Sequence, residues 1–434
     1  MGRVAETGDG STLSLDFTTM SGTLDSRITF SRADATALAT FINSSGYVTT
    51  VSSAQNPRFD FDQTTLAAKG LLLEASAKNY LCWSQSFATT TGGASNWDPF
   101  SYTITATGAT SPDGVNASQR WTLNAGAGFP GNQQNITITG TTCTASIFWK
   151  NFDHTNSTSN NLRRVAIRNG TTATILLDVS IVNPATTPSV GYNTGYSGAT
   201  LTAYPNGWYR LSLTQTTGIS NGNVINLYVG GLYGGVTDAA LPACDWWGAQ
   251  LENGLQPSSY IKTTSASVTR ATDTAIIAAG SNFSSWYTGG TTGTFVSNWY
   301  GNASSATARS VIATSDQTTK HLHMYQTASA LTLRLADFGA AATVTTANNL
   351  TANALARGAF SYASTATSLC LNGGTVATGT LGFSVAPTWL SIGGPSTNGT
   401  SITDTTVMLD NSIRTLKYFP TRLSNAQIQT LTTP

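Results

Sequence analysis

The chain has 434 residues, of which 40% are hydrophobic and only 9% are charged, and its formal net charge at pH 7 is +1. A chain of this length rarely folds around a single hydrophobic core, so two or three domains are expected. The near-balance of charge excludes both the basic field of a nucleic-acid-binding protein and a strongly acidic surface.

The first ten residues, MGRVAETGDG, lack the apolar core of a secretory signal, and no segment approaches the ~18 apolar residues of a membrane span. We therefore expect a protein that is made in a cytoplasm and does not insert into a membrane. Thr, Ser, Asn and Gln, together with 41 glycines, form short alternating strands divided by turns. That pattern is typical of all-β sandwiches.

Residues 1–87 are predicted to form an extended β section. In its PRFDFD stretch, strand alternation sends Phe59 and Phe61 to one face. The residues on the other face are Arg58, Asp60 and Asp62. Two nearby carboxylates can bind a cation or act as an acid–base pair, but a solvated or salt-bridged strand face is the commoner outcome.

Residues 88–268 contain a series of strand-like runs, among them NITITG, TASIFWK, TILLDVSIV, GWYRLSLTQT and CDWWGAQLE. Turn sequences such as SPDG and YPNG separate them. The runs predict a central two-sheet sandwich of the jelly-roll kind. The strand residues predicted to lie in its core are Trp149, Trp208, Trp246, Trp247 and Leu251.

Residues 269–434 repeat this pattern and predict a second β-sandwich. It closes with TRLSNAQIQTLTTP, in which Ser424 and Gln427 have the spacing of a capping box. A short terminal helix is therefore expected to pack on the sheet. Its apolar stripe would consist of Leu423, Ile428 and Leu431.

The cysteines and histidines lack the spacing of a metal site. The four cysteines lie far apart without a C-x-x-C pair, so neither a zinc site nor a disulfide framework is predicted, and Cys143 and Cys370 fit small apolar strand positions. His321 and His323 share a strand face and could ligate a metal. Because no cysteine or carboxylate cluster accompanies them, surface histidines are favoured, and His154 falls in loop sequence. We expect no metal and no cofactor.

Several stretches, taken in order, carry a family resemblance. The first section contains RITFSRADATA, PRFDFD and KGLLLEASAKNYL; the central section contains SPDG, TASIFWK, GWYRLSLT and WGAQLENGLQPSSYIKTTSASVTRATD; the last contains SSWYTGGTTGTFV, SLCLNGG and IRTLKYFPTRLSNAQIQTLT. Together they resemble a group of bacteriophage virion proteins, the head-spike, head-fibre and tail-fibre proteins that end in a concanavalin-like (laminin-G-like) domain.

The resemblance implies an N-terminal anchoring section, a central jelly-roll-like sandwich and a laminin-G-like terminal sandwich. In such proteins the GAQLE strand ends the central sandwich, and SSYIKTT leads to the next domain. Glu74 and Glu252 fall inside family motifs, which favours structural roles for both. We expect the interdomain path to be fixed by hydrogen bonds and ion pairs. The residues predicted to do so at the exit from the central sandwich are Glu252, Lys262, Arg270 and Asp273.

The carboxylate inventory argues against an enzyme. Only three glutamates occur, Glu6, Glu74 and Glu252, and no strand carries the paired acids of a glycosidase. Binding is better supported by the 10 Trp and 15 Tyr, since aromatic rings stack on sugars. The aromatic residues in loop or turn sequence, predicted as glycan contacts, are Trp97, Tyr192, Tyr196 and Tyr233. Packing against a sister chain or a capsid protein is the competing interpretation.

We therefore expect a non-enzymatic structural protein of a phage or phage-like particle, a head or tail fibre or spike that attaches to host-surface polysaccharide. The resemblance implies a homotrimer that contacts other capsid or tail proteins and uses many weak sites at once. Two alternatives remain open. One is a capsid cement protein that binds no ligand, and the other is a glycan-degrading tailspike.

Overall fold

The structure is a computed structural model and describes residues 8–88, 97–100, 102–124, 131–151, 163–182, 187–194, 198–231, 243–302, 307–315, 321–328, 330–337, 343–383 and 385–434. Strands dominate this part of the chain, and the two α-helices in it are four and eight residues long. The predicted all-β class is confirmed. Neither helix is long enough to cross a membrane.

The strands before residue 88 are β1 (Leu13–Asp16), β2 (Thr29–Arg32), β3 (Thr40–Ile42), β4 (Val48–Thr50), β5 (Arg58–Phe61), β6 (Ala68–Leu73) and β7 (Ala77–Asn79). The following strands are β8 (Asp98–Phe100), β9 (Tyr102–Thr105), β10 (Gln119–Leu123), β11 (Gly131–Thr137), β12 (Cys143–Asn151), β13 (Arg163–Asn169), β14 (Thr174–Val182), β15 (Ser189–Thr194), β16 (Ala199–Tyr204), β17 (Trp208–Gln215), β18 (Val224–Gly231) and β19 (Cys244–Glu252). A 3-10 turn, Pro205–Gly207, joins β16 to β17.

The last part of the chain contains β20 (Val268–Arg270), β21 (Asp273–Ile277), β22 (Gly293–Tyr300), β23 (Arg309–Ser315), β24 (His321–Gln326), β25 (Thr332–Asp337), β26 (Thr343–Asn349), β27 (Leu355–Ala363), β28 (Ala366–Leu371), β29 (Ala377–Gly379), β30 (Trp389–Ile392) and β31 (Asn411–Phe419). Its helical segments are α1 (Ser281–Ser284), the 3-10 turn Thr405–Val407 and α2 (Asn425–Thr432).

These strands build two sandwiches. The central sandwich has one sheet in the order β16-β17-β12-β19-β10-β9 and another in the order β15-β14-β13-β18-β11-β8. The second sandwich has one sheet in the order β29-β28-β27-β22-β31-β6-β5, with β1 also paired to β31, and another in the order β2-β21-β30-β23-β24-β25-β26. Each encloses one large hydrophobic core, because inward-facing side chains of the two sheets interdigitate.

The predicted division of the chain at residue 87 does not follow the sheets and has to be corrected. Strands β1, β2, β5 and β6 all belong to the sheets of the second sandwich, where Leu13, Leu15, Leu71 and Leu73 are buried in its core. The physical reason is that a short β segment cannot bury its apolar face alone. These four strands therefore complete the C-terminal sandwich, and the region that contains them is not an independent section.

The central sandwich is an insertion into this composite sandwich. Strand β7 leads into it and β20 leads out, and the two pair antiparallel, with Asn79 opposite Val268. Tyr80, Leu81 and Phe87 already belong to the central core. The inserted unit is therefore residues 80–267.

One glycine fixes how β6 joins the C-terminal sheet. Gly70 has φ of +101°, and a Cβ atom there would lie 2.2 Å from the carbonyl oxygen of Ile413 on β31. Only glycine accepts both the backbone angle and the close approach. Gly70 thus allows β6 to pack closely against β31, and this contact sets the position of Glu74, which directly follows β6.

The hairpin β3–β4 covers the outer face of the central sandwich. Its Val48 packs with Phe148, Trp208, Trp247 and Tyr260, all of which are buried. Of the tryptophans predicted to lie in the core, Trp208 and Trp247 are thus buried beneath this hairpin on the outer face. The residues of that set in the central core are Trp149, Trp246 and Leu251.

The predicted terminal helix is confirmed as α2, with its capping box formed. The backbone N–H of Gln427 donates to Ser424 Oγ, and the N–H of Ser424 donates to Gln427 Oε1 at 2.9 Å. Ile428 is fully buried against the sheet and Leu423 packs beside it. Leu431 is 38% exposed, so its predicted place in the buried stripe is wrong, because the eight-residue helix presents only its Ile428 side to the sheet.

Candidate functional site: an interdomain ionic network and its cleft

Five charged side chains from distant parts of the sequence meet where the inserted sandwich joins the composite one. They lie at the ends of short strands: Arg32 ends β2, Arg58 begins β5, Glu74 follows β6, Arg270 ends β20 and Asp273 begins β21. Pairing of β2 with β21 sets Arg32 directly opposite Asp273. All five residues are buried.

Asp273 is the centre of this ionic network. Its Oδ1 accepts a hydrogen bond of 2.8 Å from Arg32 Nε. Its Oδ2 accepts one from Arg58 Nη2 and another, of 2.9 Å, from the backbone N–H of Glu74. Charge-assisted hydrogen bonds to a buried carboxylate are strong and directional. Asp273 therefore fixes β2, β5 and the end of β6 relative to β21.

Glu74 extends the network to the segment that leaves the central sandwich. It accepts hydrogen bonds from Arg58 Nη1, from the backbone N–H of Ser259 at 2.8 Å and from Ser259 Oγ at 2.7 Å. Arg270 Nη1 lies 3.4 Å from Glu74 Oε2. Burial alone would raise the pKa of Glu74, but the charges of Arg270 and Arg58 and the Ser259 hydrogen bonds outweigh it and hold the pKa well below its ordinary value.

The network is electrically balanced. It contains three arginines and three carboxylates. The third carboxylate, after Glu74 and Asp273, is Asp34, whose Oδ2 lies 3.9 Å from Arg32 Nε. Removing ions from water is costly unless each is paired and hydrogen-bonded. The guanidinium of Arg32 also donates to the carbonyl oxygens of Ala54 and Asn56, at 2.9 and 2.8 Å. The arrangement is suited to holding chain segments in place.

A second buried carboxylate, Glu252, ends β19 on the outer face of the central sandwich. It accepts hydrogen bonds from Gln250 Nε2 and, at 3.2 Å to each oxygen, from the backbone N–H of Ser258. Burial raises the pKa of Glu252 to about 7, and the Gln250 hydrogen bond, the charge of Arg210 and the Ser258 hydrogen bonds only partly offset it. Arg210 Nη2 donates to Ser146 Oγ at 2.8 Å and to the Ser258 carbonyl at 3.0 Å.

The other charged residues singled out in the sequence lie outside this network. Asp60 is buried and pairs with Lys69 Nζ at 3.2 Å. Asp62 accepts hydrogen bonds from the backbone N–H groups of Thr64 and Thr65 and stabilises only its own turn. Lys262 is exposed and forms no ion pair with a residue that the structure describes, so its predicted place in the interdomain path is wrong. Its position on the outward face of the linker turns it to solvent.

The prediction that Trp97 is an exposed glycan contact is wrong. Trp97 is 1% exposed, its ring packs 4.9 Å from that of Phe87, and its Nε1 donates to the carbonyl of Trp83 at 3.2 Å. The local sequence is typical of a loop, but Trp97 directly precedes β8 and its side chain packs in the central core. The other predicted contacts lie wholly or in their side chains outside the described residues: Tyr192, Tyr196 and Tyr233.

No cluster of three or more His, Cys, Asp or Glu side chains suited to a metal occurs within the described ranges. His323 is buried, contrary to the predicted surface position, and burial lowers its pKa to about 3. The side chain of His321 and the whole of His154 lie outside the described residues. Cys143 and Cys370 are fully buried in strands, as predicted.

Sequence reasoning missed Arg32 and Asp34 in the network, and Arg210 beside it. A usable signal existed, because Arg32 and Asp34 stand two residues apart in the RITFSRADATA motif of a chain with few charges. It also missed the pair Arg309–Asp410, in which Asp410 Oδ1 accepts a 2.6 Å hydrogen bond from the N–H of Ala75. Nothing in the local sequence connects residues so far apart.

A cleft of about 630 Å³, lined by both polar and apolar residues, opens beside the network. One wall is the outer face of β16 and β17, where pairing sets Thr200 opposite Ser212 and Thr202 opposite Arg210. The facing wall comes from the β3, β5 and β6 region, and the loops around residues 353 and 410 close one end. The polar residues of the facing wall and end are Asp60, Gln63, Lys69, Glu74, Asn353, Asp410 and Asn411.

Neither a protein-family model nor a curated protein matches the sequence. Similar solved structures include CBM40 of the Ruminococcus gnavus IT-sialidase bound to α2,6-sialyllactose, at 17% identity and a TM-score of 0.27 over 33% of this chain and 83% of that one. Domains LG4–5 of the mouse laminin α1 chain match at 10% identity and a TM-score of 0.23, over 65% of this chain and 85% of that one. The Trypanosoma rangeli sialidase in complex with sialic acid matches at 12% identity and a TM-score of 0.27, over 59% of this chain and 48% of that one.

These neighbours are β-sandwich proteins of the laminin-G, CBM40 and sialidase kinds. At TM-scores of 0.23 to 0.27 their ligands and activities carry no argument about this chain. The fold assignment rests on the strands and sheets themselves.

Proposed function

We propose that this chain is a structural protein of a phage or phage-like particle, a head or tail fibre or spike that decorates the virion and attaches to host-surface glycans. The proposal assigns it a homotrimeric assembly and contacts with other capsid or tail proteins. Multivalent attachment would give strong avidity from weak individual sites.

The observation that carries the proposal is the buried ionic network. In a chain with 9% charged residues, Arg58, Glu74 and Asp273 are buried and paired with one another. This favours a role in which two sandwiches are held as one stiff unit. The sequence stretches that resemble phage fibre and spike proteins include the motifs that carry these residues.

Immunogold electron microscopy of intact particles tests the proposal. Antibody raised against the purified chain is expected to label the head surface or the tail of particles from a producing lysate, and antibody preadsorbed with the purified chain is the control. Absence of label from particles, together with recovery of the chain only as a free monomer, would overturn the assignment.

A glycan-degrading spike is the second candidate, favoured by one observation. Glu74 and Glu252 line the same cavity of about 410 Å³, and the pKa of Glu74 is lowered whereas that of Glu252 is raised to about 7. Carboxyl groups with pKa values pushed apart are the pattern of a glycosidase acid and its partner. Against it, both oxygens of Glu74 already accept hydrogen bonds from Arg58 and Ser259.

Release of reducing ends from purified host capsule separates the two candidates. A structural spike leaves the polysaccharide intact. Release by the wild type that is lost in Glu252→Gln would establish degradation, and Asp62→Asn serves as a control at a carboxylate that stabilises only its own turn.

A further inference from the structure

We propose that the cleft between the central sandwich and the composite sandwich binds a neutral oligosaccharide chain. This inference rests on the proposed function in that it locates and defines the glycan site of the same protein. Its location differs from that of the predicted aromatic loop contacts, of which Trp97 is buried and the other three lie, wholly or in their side chains, outside the described residues.

The size and place of the cleft suit such a ligand. Its volume of about 630 Å³ falls within the roughly 300–1,000 Å³ typical of ligand sites, which often lie between domains. Both walls are held in position, one by the β16–β17 strand pair and the other by the ionic network behind Glu74. A preformed cleft lowers the entropic cost of binding.

The lining offers hydrogen-bonding groups that are neutral and uncommitted. Seven side chains in the cleft carry amide or hydroxyl groups and make no hydrogen bond to another residue that the structure describes: Gln63, Thr200, Thr202, Ser212, Thr216, Gln256 and Asn353. Hydroxyls and amides both donate and accept, which matches the hydroxyl groups of a sugar.

Most charged groups in the cleft are already paired with a group of opposite charge. Asp60 pairs with Lys69, and Glu74 pairs with Arg58. At the end of the cleft, Asp410 pairs with Arg309. Arg210 also lines the cleft and makes no ion pair with a described residue, but its Nη2 already donates to Ser146 Oγ and to the Ser258 carbonyl. An acidic ligand would therefore find a single unpaired cation that is committed to hydrogen bonds within the protein, and a basic ligand would find no spare carboxylate. The balance favours a neutral ligand.

Tyr204 supplies an apolar surface in the same cleft. It is half-buried, and its ring packs edge-on to Phe148 at 5.0 Å between centroids. A tyrosine ring offers an amphipathic contact of large area at low entropic cost. A sugar ring combines an apolar C–H face with hydroxyls at its edge, and Tyr204 with its threonine neighbours on β16 presents the matching pair of surfaces.

Isothermal titration with the full-length protein tests the inference. The probes are four neutral oligosaccharides (maltohexaose, cellohexaose, xylohexaose and mannohexaose) and one acidic oligosaccharide, hexagalacturonic acid. At least one neutral probe is expected to bind with a Kd on the order of 1 mM, weak enough to need multivalency. Thr202→Trp places an indole in the cleft and should weaken this binding about tenfold or more, or 1.4 kcal/mol.

Matched variants keep the test decisive. Thr137→Trp makes the same change at an exposed threonine of β11 outside the cleft, and should leave Kd within about twofold. The double variant Gln63→Ala, Gln256→Ala removes hydrogen-bonding groups without filling space and should weaken binding even if Thr202→Trp fails to fold.

Two results would overturn the inference: no binding of any neutral probe, whether or not the acidic probe binds, or binding that Thr202→Trp and the double variant both leave unchanged. Its failure is distinguishable from failure of the proposed function. If immunogold labels the particles but no saccharide binds, the cleft assignment fails and the virion role stands. If a saccharide binds but the chain is absent from particles, the virion role fails and the cleft assignment stands.

Discussion

Arg58 is the residue on which the ionic network depends most, since it donates to both Glu74 and Asp273. Replacement by alanine leaves two buried carboxylates with reduced compensation. We expect Arg58→Ala to lower the free energy of unfolding by about 3–5 kcal/mol, the usual loss when one partner of a buried ion pair is removed. Urea denaturation followed by tryptophan fluorescence measures it.

The matched control is Arg27→Ala. Arg27 pairs with Asp25 at 2.8 Å, but both side chains are about a quarter exposed, at 23% and 24%, so the expected loss is about 0–1 kcal/mol. Equal losses in the two variants would show that the buried network has no special weight in stability.

Glu252 should give the stability of the protein a distinctive pH dependence. Its folded-state pKa is raised by burial to about 7, from an ordinary value of 4.5. Below the ordinary value the side chain is protonated in both states. Between the two values the folded state keeps a proton that the unfolded state has released. Stability therefore falls as pH rises toward 7, and the loss is complete above it.

The Glu252→Gln variant removes this titration. Relative to wild type, the variant should gain unfolding free energy on the order of 3 kcal/mol between about pH 5 and about pH 8. In the variant the Gln250 amide faces another amide, which also changes the absolute stability, so the change of stability with pH is the quantity to measure. Parallel stability curves for the two proteins would contradict the assignment of the raised pKa to Glu252.

The residue scale also shows how far sequence reasoning reaches. Arg58, Glu74 and Asp273 could be singled out because charges are scarce and these lie within recognisable motifs. Trp97 could not be placed, because its burial depends on contacts with Phe87 and Trp121, which come from other segments. Charge scarcity is a local signal, and burial is a property of the assembled core.

At the scale of elements, helix α2 offers a comparison within eight residues. Ile428 is fully buried against the sheet, whereas Leu431 is 38% exposed. We expect Ile428→Ala to cost about 2–5 kcal/mol, because it loses buried surface and leaves a cavity. Leu431→Ala should cost no more than about 0.5 kcal/mol. Thermal unfolding monitored by circular dichroism measures both, and equal losses would mean that α2 does not pack through Ile428.

Elements differ in how well the sequence predicts them. The capping box of α2 lies within four residues, Ser424 to Gln427, so local spacing suffices to find it. Strand β5 followed the predicted alternation only in part, because a register shift between Asp60 and Phe61 interrupts its pairing with β6. The partners of β1 and β6 could not be predicted at all, since β31 lies more than three hundred residues away.

At the scale of the whole molecule, the insertion of one sandwich into the other explains where the scarce charges lie. The chain crosses between sandwiches twice, next to β7 and next to β20. Arg270 and Asp273 lie on the return crossing, and Glu74 on the outward one. Besides the apolar contact of the β3–β4 hairpin with the central sandwich, the buried ion pairs supply directional links between the two sandwiches, which non-directional apolar packing cannot supply.

The same topology predicts which pieces of the chain fold alone. A fragment of residues 268–434 lacks β1, β2, β5 and β6 and should not unfold cooperatively, because core residues such as Leu13 and Leu71 are missing. Residues 8–79 joined to 268–434 through an Asn-Gly turn should fold, since Asn79 already lies opposite Val268 and such a turn suits a two-residue hairpin. Cooperative thermal unfolding by circular dichroism distinguishes them. If residues 268–434 unfold cooperatively without the N-terminal strands, the composite sandwich is not the folding unit. The prediction of a separate N-terminal section would then stand.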